Sequence, residues 1–163
     1  MTWPARARQL IERLGLEPHP EGGFYVEVHR SSLTVRPDDG RPARAALTSI
    51  YFLLVDRGAS RWHCVASDEV WLHLEGAPLV LHLLDEPRRT IRSVRLGPLA
   101  DEAQPQCTVP AGIWQAAQAQ GDFVLLACAV APGFEFDDFA MMDAASPLAA
   151  WMRERHAALA ELL

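Results

Sequence analysis

The chain has 163 residues, half of them hydrophobic, and carries a formal net charge of −6, with a mean hydropathy of zero. That length suits one domain with a substantial core, and the acidic balance excludes nucleic acid or an anionic membrane as the main partner, since both require a basic face. All the basic side chains are arginine and are scattered rather than massed, and no stretch approaches the ~20 apolar residues of a membrane span.

Residues 3–14 read as a short helix, with Thr2 as its cap, Pro4 in the first turn and Gly15 after the last. Trp3, Ala7, Leu10, Ile11 and Leu14 form one apolar stripe at helical spacing. Pro18, Pro20, Gly22 and Gly23 then force a tight loop. From Phe24 to about Phe139 the pattern is short β-rich runs between turn residues, over 24–29, 46–55, 60–65, 69–75, 78–84, 90–96, 106–110, 113–118 and 122–131. This spacing predicts an all-β sandwich or barrel over about 20–143. The polar segment 34–45 is expected to be a mobile loop at a barrel mouth, with two further loops at 85–89 and 97–106. Ser146 caps a closing helix over 147–162, whose inner face is Leu148, Trp151, Met152, Leu159 and Leu162. One domain spanning 1–163 is the expectation. Cys64, Cys107 and Cys128 cannot all pair, have no C-x-x-C spacing and lie in apolar runs, so they read as reduced thiols of a cytoplasmic protein.

Alternation along a strand puts His63 and Val65 on one face, and Glu69, Trp71 and His73 on another. A polar His63–Glu69 pair in an aromatic wall is how small-ligand pockets are lined, although two such residues can also satisfy each other within a core. Tyr25 and Tyr51, the only tyrosines, lie in strand patterns and could donate a proton or simply pack. Arg30, Arg44 and Arg61 could grip a phosphate or carboxylate, or be solvated. Glu21, between Pro20 and Gly22, sits in a loop too restricted to be arbitrary, yet could be only a turn. Residues 132–139 alternate aromatic and acidic side chains, so Glu135 could face the mouth.

One spacing pattern goes further. Gly58, His63, Glu69 and Gly76 are echoed by Pro110, Gly112 and Gln115. Together they resemble the two motifs of the cupin superfamily, with Val65 and Gln115 where two imidazoles usually stand. His19-Pro-Glu-Gly-Gly-Phe-Tyr25, Ser67-Asp-Glu69-x-Trp71, Val109-Pro-Ala-Gly112-x-Trp114 and Val130-Ala-Pro-Gly-Phe134 resemble one small cupin family of uncharacterised proteins.

The resemblance implies a double-stranded β-helix, the cupin jelly-roll barrel, with short N- and C-terminal helices, paired as a homodimer. It also implies a small-molecule ligand. The first functional reading is a metal-independent isomerase or epimerase acting on a sugar or related carbonyl compound. His63 would be the general base and Glu69 would orient it, with Trp71, Trp114, Gln115, Tyr51, Tyr25 and Glu135 about the ligand. The alternatives are a non-catalytic ligand sensor and a metal-dependent enzyme using His63, Glu69 and Gln115. No cofactor is expected: an amide is a poor ligand for transition metals, and one His with one carboxylate falls short of a zinc site.

Overall fold

The computed structural model describes residues 3–99 and 102–163. The chain begins with helix α1 (Ala5–Leu14), then β1 (Glu17–Pro18), β2 (Phe24–Arg30), β3 (Thr34–Val35), β4 (Arg44–Ala45), β5 (Thr48–Val55), β6 (Ala59–Val65) and β7 (Asp68–Gly76). It continues through β8 (Leu79–Asp85), β9 (Thr90–Leu96), β10 (Gln106–Val109), β11 (Trp114–Ala119), β12 (Phe123–Ala131), a 3₁₀ turn (Phe136–Asp138) and β13 (Phe139–Met141). Helices α2 (Pro147–Arg155) and α3 (Ala157–Ala160) close it.

Two antiparallel sheets face each other, with strand orders β1-β2-β5-β12-β7-β10 and β13-β6-β11-β8-β9. This is the jelly-roll barrel. Its inner faces follow the period-2 alternation of the strands. Phe52 and Leu54 of β5, Trp71 of β7, Leu79, Leu81 and Leu83 of β8, and Val124, Leu126 and Cys128 of β12 form one buried cluster. Each large side chain so buried contributes about 1.5–3 kcal/mol.

The alternate residues face outward, and the helices cover them. On the six-stranded sheet, Leu53 and Leu125 pack beneath Leu10 of α1. On the five-stranded sheet, Trp62, Leu84 and Ala116 pack beneath Leu148, Ala149, Met152 and Leu162. The indole N–H of Trp62 donates to the Leu159 carbonyl at 2.8 Å.

Two expectations are corrected. The closing helix is interrupted at His156, whose φ of −141° and ψ of 54° leave the helical region, so 147–162 forms two helices. Ser146 does cap the first, accepting from the Ala149 N–H at 3.1 Å. Segment 34–45 is a pinned hairpin rather than a free loop. Its strands β3 and β4 pair with each other, and Arg44, almost fully buried, forms an ion pair with Asp138. Arg41 adds contacts to Asp138 at 3.1 Å and to Ser67 at 3.0 Å. The expected capping residue Thr2 lies outside the described residues.

Candidate functional site

The site lies at the end of the barrel nearest β2 and the 134–139 segment, where the two sheets enclose a cavity of about 140 Å³. At roughly 10–15 Å³ per water site, that is room for about ten water-sized groups, the scale of a small metabolite.

Its floor is built by a hook at residues 19–23. His19 N–H donates to the Gly23 carbonyl and Gly22 N–H to the His19 carbonyl, both at 3.0 Å. Gly22 and Gly23 have φ of +111° and +72°, and a Cβ on either would lie 2.5 Å from the Ala59 carbonyl oxygen or 2.7 Å from that of Leu53. Only glycine lets the hook press so close to the barrel wall. The Glu21 carbonyl accepts from the Arg61 N–H at 2.8 Å, which docks the hook on β6.

The hook buries Glu21. Its Oε1 accepts from the Ser60 hydroxyl at 2.8 Å. Its Oε2 lies 3.3 Å from His63 Nε2 and 3.4 Å from His19 Nδ1. The tautomers of both rings follow from their other contacts. His63 Nδ1 is 2.7 Å from the Arg61 carbonyl, an acceptor only, so Nδ1 carries the hydrogen and Nε2 a lone pair. His19 Nδ1 receives the Glu21 N–H at 3.3 Å, so it too presents a lone pair. Glu21 Oε2 therefore faces the free lone pair of His63 Nε2, beside a His19 nitrogen already engaged by the Glu21 N–H, an arrangement that calls for a proton on the oxygen.

Burial drives the charges the same way. It pushes the Glu21 carboxyl up to about 8, against a smaller opposing effect from the Ser60 hydrogen bond. It pulls His19 down to about 4, helped by His63. His63 is also lowered by burial, which outweighs the Glu69 charge and the Arg61 carbonyl. Near neutral pH the floor is a neutral acid beside two neutral imidazoles.

Glu69 enters from β7 in the opposite sheet. The indole N–H of Trp71 donates to Gln115 Oε1 at 3.0 Å, and Gln115 Nε2 donates to Glu69 Oε2 at 2.6 Å. This chain fixes both the amide and the carboxyl. Burial raises the Glu69 carboxyl too, against the pull of His63.

The rim joins β2 to the 134–139 segment. Arg30 Nε and Nη2 donate to the two Glu27 oxygens at 3.0 and 2.9 Å, while Nη1 donates to Glu135 at 2.7 Å. Aromatic rings line the space between rim and floor. Tyr25 meets His19 edge-on at 4.6 Å, Phe139 lies 5.5 Å from His63, and Phe52 lies 5.8 Å from Trp71.

His63, Glu69, Trp71, Tyr25 and Glu135 all line this cavity. Gln115 stands just behind it, bonded to Glu69. It sits opposite His63 in the register of β11 on β6, so it shares a sheet with His63 rather than facing it across the barrel. Two expected ligand contacts lie elsewhere. Tyr51 is on the outer face of β5 with Leu53, beneath α1. Trp114 packs with the C-terminal helices and donates to Glu86 at 3.0 Å. The expected His63–Glu69 pair is also replaced, since Glu21 is the carboxyl against His63 Nε2. The hook's confined Glu21 and the Arg30–Glu27–Glu135 cluster are the parts that sequence reasoning did not place. The signal for the first was a glutamate locked between proline and two glycines.

The metal position usual in this fold does not suit these residues. Gln115 spends its amide oxygen on Trp71 and turns its N–H toward Glu69, while His63 Nε2 is faced by Glu21. Among the described residues, no three His, Cys, Asp or Glu side chains are grouped to hold a metal ion.

Comparison with known proteins follows the same lines. The model of a family described as cupin superfamily (DUF985) matches residues 8–142. A hypothetical protein from Leishmania major is 35% identical, with 95% of this chain and 96% of that one covered and a TM-score of 0.81. A structural-genomics protein from Shewanella oneidensis is 34% identical over 96% of each chain, with a TM-score of 0.83. Oxalate decarboxylase from Bacillus subtilis shares the fold alone, at 15% identity and a TM-score of 0.58, over 86% of this chain and 34% of that one. No curated protein is detectably similar in sequence.

Proposed function

This chain belongs to the cupin superfamily, in the family described as DUF985, and from that premise we propose that its cavity binds a small organic molecule on which His63 moves a proton. The reaction is that of an isomerase or epimerase acting on a sugar or related carbonyl compound. The observation that carries this reading is the lone pair on His63 Nε2, fixed by the Nδ1–H contact to Arg61 and set against the Glu21 carboxyl in the cavity lining, so that a base and an acid stand side by side. A buried imidazole that stays neutral near pH 7 is ready to accept a proton.

In the forward step, His63 Nε2 takes the proton from a carbon next to the carbonyl. The C–H electron pair moves into the carbon framework, and the carbonyl oxygen, as it gains charge, takes the proton of the Glu21 carboxyl. The imidazolium then returns its proton by one of two routes. It goes to the same carbon, once the planar enol has turned its other face to His63, with the enol hydroxyl giving its proton back to Glu21. Otherwise it goes to the former carbonyl carbon, with the hydroxyl on the first carbon giving its proton to Glu21 as it becomes the new carbonyl. Burial keeps Glu21 protonated in the pH range where His63 is unprotonated, so acid and base coexist. Trp71, Tyr25 and Phe52 supply the apolar wall against which a ring or chain can lie.

The test is hydrogen exchange into a panel of aldoses, ketoses and other α-hydroxy carbonyl compounds in heavy water, followed by proton NMR. Wild-type protein should wash out the signal of at least one α-proton, and His63→Gln should abolish this while leaving the fold intact. Binding without exchange anywhere in the panel would overturn the catalytic reading in favour of a ligand-sensing protein.

A further inference from the structure

We infer that the ligand of this cavity presents a protonated amine to the Glu21–His63–Glu69 floor, with its carbon framework against the aromatic wall. This rests on the reading of the cavity as a ligand site and names the charge class of what fills it.

The floor is a surface of acceptors. His63 Nε2 and His19 Nδ1 lie within 3.4 Å of Glu21 Oε2, and the His63 Nδ1–H is spent on the Arg61 carbonyl. Glu69 adds a second buried carboxyl from the facing sheet. An ammonium group brings three donors and no acceptor, which is what such a surface lacks. A hydroxyl brings only one donor, and a carbonyl has only the Glu21 proton to accept.

Charge points the same way. Among the described residues, the cavity is lined by the four carboxyl groups of Glu21, Glu27, Glu69 and Glu135, and by Arg30 as its sole lysine or arginine. Every nitrogen of that guanidinium is engaged: Nε and Nη2 by Glu27, Nη1 by Glu135, and Nη2 also by the Phe134 carbonyl at 3.2 Å. A phosphate or carboxylate ligand would find no free cation among these lining residues. A cation would meet two carboxyls below, Glu21 and Glu69, that no arginine pairs, and the rings of Phe52, Trp71 and Tyr25 around it, the combination that recognises ammonium groups.

Two matched probe sets test this, with affinities measured by isothermal titration calorimetry at pH 7. One set is glucosamine, glucose and glucuronate; the other is hexylamine, hexanol and hexanoate. At least one amine should bind about tenfold or more tightly than its neutral and anionic counterparts. Glu69→Gln, which keeps the shape of the site, should remove that preference. Failure of both amines to bind at millimolar concentration, equal or tighter binding of the anions, or an amine preference that survives Glu69→Gln would each overturn the inference. So would stabilisation of the fold by zinc or manganese with neither amine having any effect, because the acceptor cluster would then be a metal site. α-Proton exchange on a neutral carbonyl compound without amine preference would sink this inference and leave the proposed reaction standing. Amine binding without exchange would do the reverse.

Discussion

Glu21→Gln separates a neutral floor from an ionic one, because the two predict opposite effects on stability. Burial raises the Glu21 carboxyl from 4.5 to about 8. Between those values the folded protein holds a proton that the unfolded chain has released, so its stability falls as pH rises through that window. At about 1.4 kcal/mol per pH unit, the whole rise corresponds to about 5 kcal/mol at pH 8 and above. The histidines act in the opposite direction. His19, pulled down to about 4, and His63 and His82, both lowered by burial, stay neutral in the fold while the unfolded chain takes up protons below about pH 6.5. Their contribution grows as pH rises to that point and then stops. The two sets offset each other in mild acid. Between about pH 6.5 and 8 the carboxyls act alone, and above that the buried thiols of Cys64, Cys107 and Cys128, all raised by burial, add to the decline. Wild-type stability should therefore fall by about 2 kcal/mol from Glu21 between pH 6.5 and 8, with Glu69 adding to the decline. The amide introduced by Glu21→Gln would keep an oxygen for Ser60 and place an NH₂ where Oε2 lies, able to donate to His63 Nε2 without any proton to lose. Urea unfolding across pH 5–9 should show the variant more stable than wild type at pH 8 by a few kcal/mol, with the Glu21 share of the alkaline slope gone and that of Glu69 remaining. A variant that is less stable at pH 8 would mean that Glu21 is ionised against an imidazolium, and the reasoning would be refuted.

Removing one partner of the buried Arg44–Asp138 pair, by Arg44→Met or Asp138→Asn, should cost about 3–5 kcal/mol in urea unfolding, and the double variant should recover much of it; additive losses would show that the two are not coupled. Gln115→His should create a transition-metal site beside His63 and Glu69, read as near one equivalent of zinc or nickel after dialysis; wild type should retain none, and metal in wild type would contradict an amide committed to Trp71 and Glu69. The chain should be a homodimer of twice 18.0 kDa by light scattering. The helices cover much of the outer faces, so the contact falls to the free edge of β2 beyond its short pairing with β1, near the exposed Val28, Leu33 and Leu47. A monomer mass at micromolar concentration would exclude it.

The barrel was legible because alternation and turn residues are local signals. The runs read at 24–29, 60–65, 69–75 and 90–96 fall within one residue of β2, β6, β7 and β9. What was not legible depends on residues distant in sequence. The 34–45 segment reads as mobile from its polar composition, and only the return of Asp138 to Arg41 and Arg44 fixes it. Trp114 shows a different failure. It adjoins Gln115 in one strand, and neighbours on a strand point to opposite faces, so an inward Gln115 already required an outward Trp114. The same parity separates Tyr51 from Phe52. Aromatic character suggested a ligand wall, but strand geometry had the stronger claim. Glu21 lies in a loop without period, where no alternation rule applies; its direction is set by the approach of Gly22 and Gly23 to the carbonyls of Ala59 and Leu53.

The substitution at Gln115 and the hook carboxyl fit a single physical account. Where a metal holds an imidazole and a carboxylate, its charge permits the carboxylate to remain ionised in a buried place. With an amide in place of an imidazole the donor set no longer suits such an ion, and without its charge each polar group needs a directional partner. Trp71 and Gln115 provide this for Glu69 through two hydrogen bonds in series. His63 is oriented through Nδ1 by the Arg61 carbonyl, and its Nε2 would be an unsatisfied acceptor in a dry cavity were no donor brought to it. The hook brings one, but only in the protonated form of Glu21, which burial favours. The result is a floor held by hydrogen bonds, whose mobile proton lies between the acid and the base of the proposed reaction. An entering amine can supply that donor in place of the proton, and a neutral carbonyl compound can accept the proton itself. Which of the two a natural ligand does is what matched amine, alcohol and carboxylate probes, together with exchange at the α-carbon, separate.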